Sequence, residues 1–294
     1  MPNQTGIFAE TQRSQYALEY AQSRSSTPDS RKEAIRKLRD VLNANDDVSS
    51  VLAFGADYYR TWAQERSPAI LKPLAAISGK MPATHGDVWV WLQGPAPDVT
   101  LDAARAVDQA LRPVFELRLD VPGFIYRDSR DLTGFVDGSA NPKDDDRKTA
   151  ALVALGEVGA GGAFVLSQKW IHDLSSFAKL SIADQERTIG RTKPDSIELE
   201  GDAMPADSHV SRTDVKVDGV AQKIWRRSFP YGTVSENGLY FVAFACDPAR
   251  VDIQLRRMFG LADDGITDSL TGFSKPVSGA HWFAPSEDDL KALL

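Results

Sequence analysis

The chain has 294 residues, 42% of them hydrophobic and 26% charged, and carries a formal net charge of -7. That size and balance suit a soluble globular protein of one large or two ordinary domains, and the acidic surplus argues against nucleic acid or an anionic membrane as the main partner. No apolar run approaches the ~20 residues of a membrane span. The start, Met1-Pro2-Asn3-Gln4-Thr5, lacks the basic and apolar regions of a secretory signal. The single cysteine, Cys246, excludes an internal disulfide and a cysteine-rich zinc site. A cytoplasmic location is the resulting expectation.

Taken in chain order, 14–21 alternates, with Tyr16, Leu18 and Tyr20 on one face, and predicts a strand. Thr27-Pro28 opens a helix, hydroxyl as cap and proline in the first turn, with Ala34, Ile35, Leu38, Val41 and Leu42 on one stripe. A second strand is expected over 48–54. A third covers 87–93, where Val88, Val90 and Leu92 alternate against Trp89 and Trp91. Residues 101–111 read as a helix that stops before Pro113, and 114–119 as a fourth strand. The order β-α-β-β-α-β is the ferredoxin-like unit.

The second half repeats that order. Strands are expected over 163–171, 222–229 and 239–245, a helix from Leu174 through Ile182, a helix over 251–259, and a short last strand at Trp282-Phe283. Turn residues at Val121-Pro122-Gly123 divide the chain into units 1–122 and 123–294. The fold class is therefore α+β: two ferredoxin-like units with antiparallel sheets and helices on their outer faces. The stretch 189–217 is long, polar and irregular, and loops of that length usually carry function or are disordered.

Three features bear on chemistry. In Gly134-Phe135-Val136-Asp137-Gly138-Ser139-Ala140-Asn141-Pro142 a carboxylate sits between glycines and is closed off by an Asn-Pro turn. Period two in Ile224-Trp225-Arg226-Arg227-Ser228-Phe229 puts Arg226 beside Ser228 on one face. An inward arginine there is costly without a countercharge, and Asp137 can supply one. The alternative is a solvated edge strand. Four histidines exist: His85 in a turn, His172 between a strand and a helix, His209 in the long loop, and His281 beside Trp282. Any one alone is more often structural than a ligand. Calcium-loop, dinucleotide and Walker patterns fail: Pro142 and Lys148 stand where a calcium loop needs glycine and glutamate, and Gly159-Ala160-Gly161-Gly162 precedes a strand.

The order of Asp137, His209 and Arg226, with Ala206-Asp207-Ser208-His209-Val210 and the nine-residue segment above, resembles the dye-decolourising peroxidases, class B in particular. The resemblance implies non-covalent haem b, one per chain, in the second unit; covalent attachment through Cys-x-x-Cys-His is excluded by the lone cysteine. It implies His209 as iron ligand ahead of His172, Asp137 as distal acid/base and Arg226 as distal arginine. Asp268 is the implied carboxylate partner of His209, with Asp252 as second choice. Arg191 is implied near the haem propionates, Ser228 beside Arg226, and Phe241 as an apolar wall. Hydrogen peroxide and a small-molecule reducing substrate are the implied partners, and electrons from bulky dyes would pass through aromatic residues such as Trp225 and Tyr231. A homo-oligomer, dimer or tetramer, is implied. Some relatives are cargo of encapsulating shells, but no long tail follows the last expected strand before Leu294. A haem-handling protein with incidental peroxidase activity is the rival reading.

Overall fold

Residues 2–10 and 12–294 are described by the computed structural model. The first half runs β1 (Ser14–Gln22), α1 (Pro28–Asn43), β2 (Ser49–Gly55), α2 (Ala56–Ala63), β3 (Val88–Gly94), α3 (Pro97–Leu111) and β4 (Phe115–Phe124). The second half runs α4 (Asp146–Ala151), β5 (Ala163–His172), α5 (Leu174–Phe177), α6 (Ile182–Ile189) and α7 (His209–Thr213). After a small hairpin of β6 (Lys216–Val217) and β7 (Val220–Ala221) come β8 (Trp225–Arg226), β9 (Phe229–Gly232), β10 (Asn237–Ala245) and α8 (Ala249–Met258). The chain closes with β11 (Ser274–Pro276), β12 (Ala280–Ala284) and α9 (Glu287–Leu293).

Both halves are ferredoxin-like. The sheet order is β4-β1-β3-β2-β12-β5-β10-β8, with β9 also on β10 and β11 also on β5. In each half the fourth strand lies beside the first, then the third, then the second, and every ladder is antiparallel. The two four-stranded sheets are joined edge to edge: Trp282 pairs with Gly55 and Phe283 with Phe54. Joining them removes two exposed strand edges that would otherwise template aggregation.

Alternation divides the core into layers. Val88, Val90 and Leu92 face α1 and α3, where Ile35, Leu38, Val107 and Leu111 close the outer layer. Trp89 and Trp91 face the other way, into an inner layer shared by both halves with Val51, Val165, Phe229, Tyr240, Phe244 and Trp282. Thr27 caps α1 as expected, its Oγ1 accepting from the Ser30 amide at 3.2 Å while the Ser30 hydroxyl accepts from the Thr27 amide at 2.9 Å.

Three expected boundaries move. β4 runs to Phe124, through the Val-Pro-Gly that reads as a turn, because proline is tolerated on an edge strand. Gly123 is needed there for another reason: an added Cβ would lie 2.1 Å from Phe229 Cδ2 and 2.8 Å from the Pro230 oxygen. The far end of the sheet therefore curls round to meet its beginning. The helix expected from Leu174 through Ile182 is broken in two, since Ser181 caps α6 by accepting from the Asp184 amide at 3.1 Å. The strand expected over 222–229 is reduced to β8 and the start of β9.

Candidate active site

The second half holds two adjoining cavities, about 150 Å³ and about 140 Å³. Val136, Asp137, Ile189, His209, Thr213, Arg226 and Gln254 line both of them. One end is apolar, walled by Leu239, Phe241, Leu255, Met258 and Leu270. The other end is charged, with Arg191 and Lys223 beside their partners Glu198 and Asp214.

His209 begins α7, whose cap is Ser208, accepting from the Ser211 amide at 3.2 Å. The long irregular stretch thus contains one turn of helix placed for this residue. Gly190 makes room for it: its backbone is left-handed, φ 94°, and an added Cβ would sit 2.9 Å from Val210 Cβ. α7 is clamped to α8, because Arg257 donates to the carbonyls of Ser211 at 3.0 Å and Arg212 at 3.2 Å. Arg212, buried, forks onto Asp264 at 2.8 and 2.9 Å.

His209 Nδ1 lies 2.7 Å from Asp268 Oδ2, and Asp268 is 1% exposed. The other Asp268 oxygen accepts from the Leu270 amide at 2.9 Å, which fixes the carboxylate plane. With Nδ1 so held, the ring is orientated, and its Nε2 makes no hydrogen bond among the described residues. A neutral imidazole whose Nδ1–H is given to a carboxylate is the donor that a metal centre requires. Asp252 lies elsewhere, 3.6 Å from His281 Nε2.

Asp137 and Arg226 reach the same cavities from different elements. The loop of Asp137 is pinned by its own amide, which donates to the Ser129 carbonyl at 3.0 Å. Arg130 adds bonds to the Gly134 and Lys193 carbonyls at 2.9 and 2.7 Å. Burial pushes the Asp137 carboxyl above its ordinary range. The Arg226 charge pulls it back, the Asp131 charge pushes it up again, and the Gly138 amide, donating at 2.7 Å, lowers it. Burial lowers Arg226, opposed by Asp137, but a guanidinium stays charged.

The two do not form a contact ion pair. Arg226 is held instead by Asn141, whose Oδ1 accepts from the Arg226 amide at 3.1 Å and from its Nε at 3.4 Å, while the Asn141 amide donates to the Arg226 carbonyl at 2.8 Å. In the sequence Asn141 reads only as a turn residue. The Asn-Pro signal was present, but its partner lies 85 residues away.

Of the remaining expected residues, Phe241 lines the apolar end and Arg191 the charged end. Arg191 also donates to the Ser196 carbonyl at 2.8 Å and pairs with Glu198. Ser228 does not line either cavity. The strand lapses at residues 227–228, and the Ser228 hydroxyl turns back to accept from the Val242 amide at 3.4 Å. Trp225 and Tyr231 are buried, bonded to the carbonyls of Ile7 at 2.9 Å and Trp170 at 3.1 Å.

His172 is bonded within the cavity wall, to Ser274 Oγ at 2.7 Å through Nδ1 and to Asp131 Oδ1 at 3.1 Å through Nε2. Burial raises the Asp131 carboxyl, but His172 and Thr133 more than offset that and hold it below its ordinary range. With both ring nitrogens engaged, His172 is not free to ligate.

Family models of Dyp-type peroxidases match most of the chain, the N-terminal one over residues 4–125 and the C-terminal one over 128–289. A dye-decolorizing peroxidase of Mycobacterium tuberculosis is 36% identical over 251 residues, 83% of this chain and 75% of that protein. A putative Dyp-type peroxidase of Shewanella oneidensis superposes with a TM-score of 0.91 at 32% identity, over 99% of both chains. A variant of DypB from Rhodococcus jostii, solved in complex with heme, superposes with a TM-score of 0.89 at 32% identity, over 97% of this chain and 96% of that one.

Proposed function

The chain belongs to the Dyp-type peroxidase family, and from that premise we propose that its second-half cavity holds haem b through His209 and reduces hydrogen peroxide there, with Asp137 and Arg226 as the working residues. The observation that carries this reading is the His209–Asp268 bond of 2.7 Å, on a ring whose other nitrogen makes no hydrogen bond among the described residues and which lines the same cavity as Asp137 and Arg226.

The residues present fit the cofactor. His209 Nε2 would be the iron donor, and Asp268 would give the imidazole anionic character that strengthens it. Phe241, Leu239 and Leu255 would pack on the apolar face of the ring, and Arg191 would meet a propionate. Haem supplies the iron at which the peroxide O–O bond breaks and where two oxidising equivalents are kept for a reducing substrate.

The chain's own groups do the proton and charge work. Asp137, ionised, accepts a proton from hydrogen peroxide on a carboxylate oxygen and returns it to the departing oxygen as water forms. The raised position of its pKa brings it closer to the working pH, which favours a group that must both take and give a proton. The fixed charge of Arg226 stabilises negative charge as the O–O bond lengthens, and Asn141 keeps it aimed without neutralising it. With haem filling the cavity, a bulky donor would find no room beside it, so its electrons would have to cross protein.

The test is an absorption spectrum of haem-loaded protein before and after stoichiometric peroxide, with and without a phenolic donor. Rapid conversion, then return to the starting spectrum as the donor is oxidised, is expected. Tight haem binding with a slow peroxide reaction, unchanged in Arg226→Ala, would favour haem handling instead.

A further inference from the structure

The inner core contains one carboxylate with no use in the chemistry above. Glu19, on β1, is 2% exposed among Ala17, Val121, Val165 and Val242. No basic side chain is bonded to it among the described residues. Burying a carboxylate without a cation is costly, so its hydrogen bonds call for an explanation.

Two chains of hydrogen bonds converge on one of its oxygens. Tyr240 donates its hydroxyl to Glu19 Oε1 at 2.6 Å, and Ser167 donates to the same atom at 3.0 Å. The Tyr240 oxygen accepts from the Trp89 indole at 2.9 Å, and the Ser167 oxygen from the Trp282 indole at 2.8 Å. An indole N–H can only donate. Each indole therefore fixes the polarity of its chain, and the Tyr240 proton has to point at Glu19. A phenol aimed at a carboxylate over so short a distance is arranged for proton transfer.

Position supplies the second half of the case. On β10, Leu239 and Phe241 line the proposed haem cavity, and Tyr240 between them projects to the opposite face. Phe229 stacks on Tyr240 with centroids 5.2 Å apart. Tyr240 is thus separated from the cavity by the thickness of one strand. Glu19 also borders an open cleft of about 580 Å³.

We propose that Tyr240 and Glu19 form a buried proton-coupled redox pair that takes one oxidising equivalent from the haem centre during turnover. This rests on the peroxidase reading above. In the step, Tyr240 gives one electron to the centre that peroxide has oxidised, and its hydroxyl proton moves to Glu19 Oε1. The products are a neutral phenoxyl and a neutral carboxylic acid, so no charge is left in the apolar core. An electron from a reducing substrate reverses the step, and the proton returns to the Tyr240 oxygen.

Burial brings the Glu19 carboxyl up to about 7, and it holds Tyr240 well above its usual value, so near neutrality the pair is a protonated phenol beside a partly ionised acceptor. The other titratable groups in reach line the cleft: Asp57, His85, Asp87, Arg118 and His281.

The experiment is electron paramagnetic resonance of the haem-loaded protein frozen after stoichiometric peroxide. A tyrosyl signal is expected, absent in Tyr240→Phe, at least tenfold weaker in Glu19→Gln, and in the native protein rising with pH as Glu19 ionises. Should Tyr240→Phe fail to fold, Glu19→Gln and the pH dependence decide alone. Absence of any tyrosyl signal, or the same signal in both variants, overturns the pair. Failure to bind haem or react with peroxide would sink the peroxidase reading instead, so the two failures are distinguishable.

Discussion

Asp268 Oδ2 sits 2.7 Å from His209 Nδ1, a bond that ties the first residue of α7 to a segment 59 positions further along the chain. It couples the imidazole's orientation to a carboxylate that is itself fixed by a backbone amide. Loss of an outer partner of this kind costs roughly 10–100-fold in metal affinity. Asp268→Ala should weaken haem binding by about that factor, and Asp268→Asn, which keeps an acceptor but not the charge, by less. Haem titration of each variant measures it. Asp252→Ala is the control and should leave affinity unchanged; equal losses in Asp252→Ala and Asp268→Ala would count against the assignment.

Asp137 and Arg226 share a cavity yet should fail differently when removed. Arg226 is charged at every working pH, so Arg226→Ala should slow the peroxide reaction uniformly, by about 10²–10³-fold. In the role proposed for it, Asp137 would act as a base only when ionised. Its pKa is raised, so the component it contributes is present above that pKa and is lost as pH falls through it, at higher pH than an ordinary aspartate would require. Asp137→Ala should remove that pH-dependent component, at a cost of about 10²–10⁴-fold. Asn141→Ala should lie between native protein and Arg226→Ala, because the guanidinium remains but loses its tether. Stopped-flow rates across pH decide all three, and a flat native profile would contradict the role given to Asp137.

The strand-and-helix order was legible because both faces of the first-half strands are patterned: Trp89 and Trp91 alternate with Val88, Val90 and Leu92 and fill two different layers. Asp137, His209 and Arg226 are singled out by motif resemblance, since nothing local marks His209 above His172, and the fold brings the three to the same cavities. The joining of the two sheets was not legible. Pairing of Phe54 and Gly55 with Phe283 and Trp282 is made by backbone groups, which carry no side-chain code. Asn141 escaped for a related reason, as its turn signal describes its neighbours in sequence while its bonds are to Arg226. Ser228 lies off both cavities because period two does not carry through residues 227–228, where the strand lapses.

Gly123 should tolerate no side chain. The methyl of alanine would meet the Phe229 ring at 2.1 Å, and Phe229 is 0% exposed, so the ring has no free space to swing into. Gly123→Ala should destabilise the protein by about 1–3 kcal/mol or more through overpacking where the ends of the sheet meet. Adding Phe229→Leu should recover part of the loss even though it is itself unfavourable alone. Denaturant unfolding of the single and double variants checks this, and strict additivity would show that the contact is not what limits stability.

Glu19 should make the protein less stable as pH rises through the neutral range. Below about 4.5 the carboxyl is protonated in folded and unfolded chains alike; between there and about 7 the unfolded chain ionises while the folded one keeps its proton. The folded state binds more protons in that window, so stability is lost as pH rises across it and the loss is complete above the folded pKa. A shift of that size corresponds to about 3 kcal/mol for a fully buried group. Glu19→Gln is neutral throughout and can still accept from Tyr240 and Ser167 through its amide oxygen. Its stability relative to the native protein should therefore improve by about 3 kcal/mol between pH 4 and pH 8, whatever the other carboxylates contribute, because they titrate equally in both proteins. Urea unfolding at several pH values in that range reads the difference directly, and parallel curves for the two proteins would mean that Glu19 titrates like an exposed carboxylate.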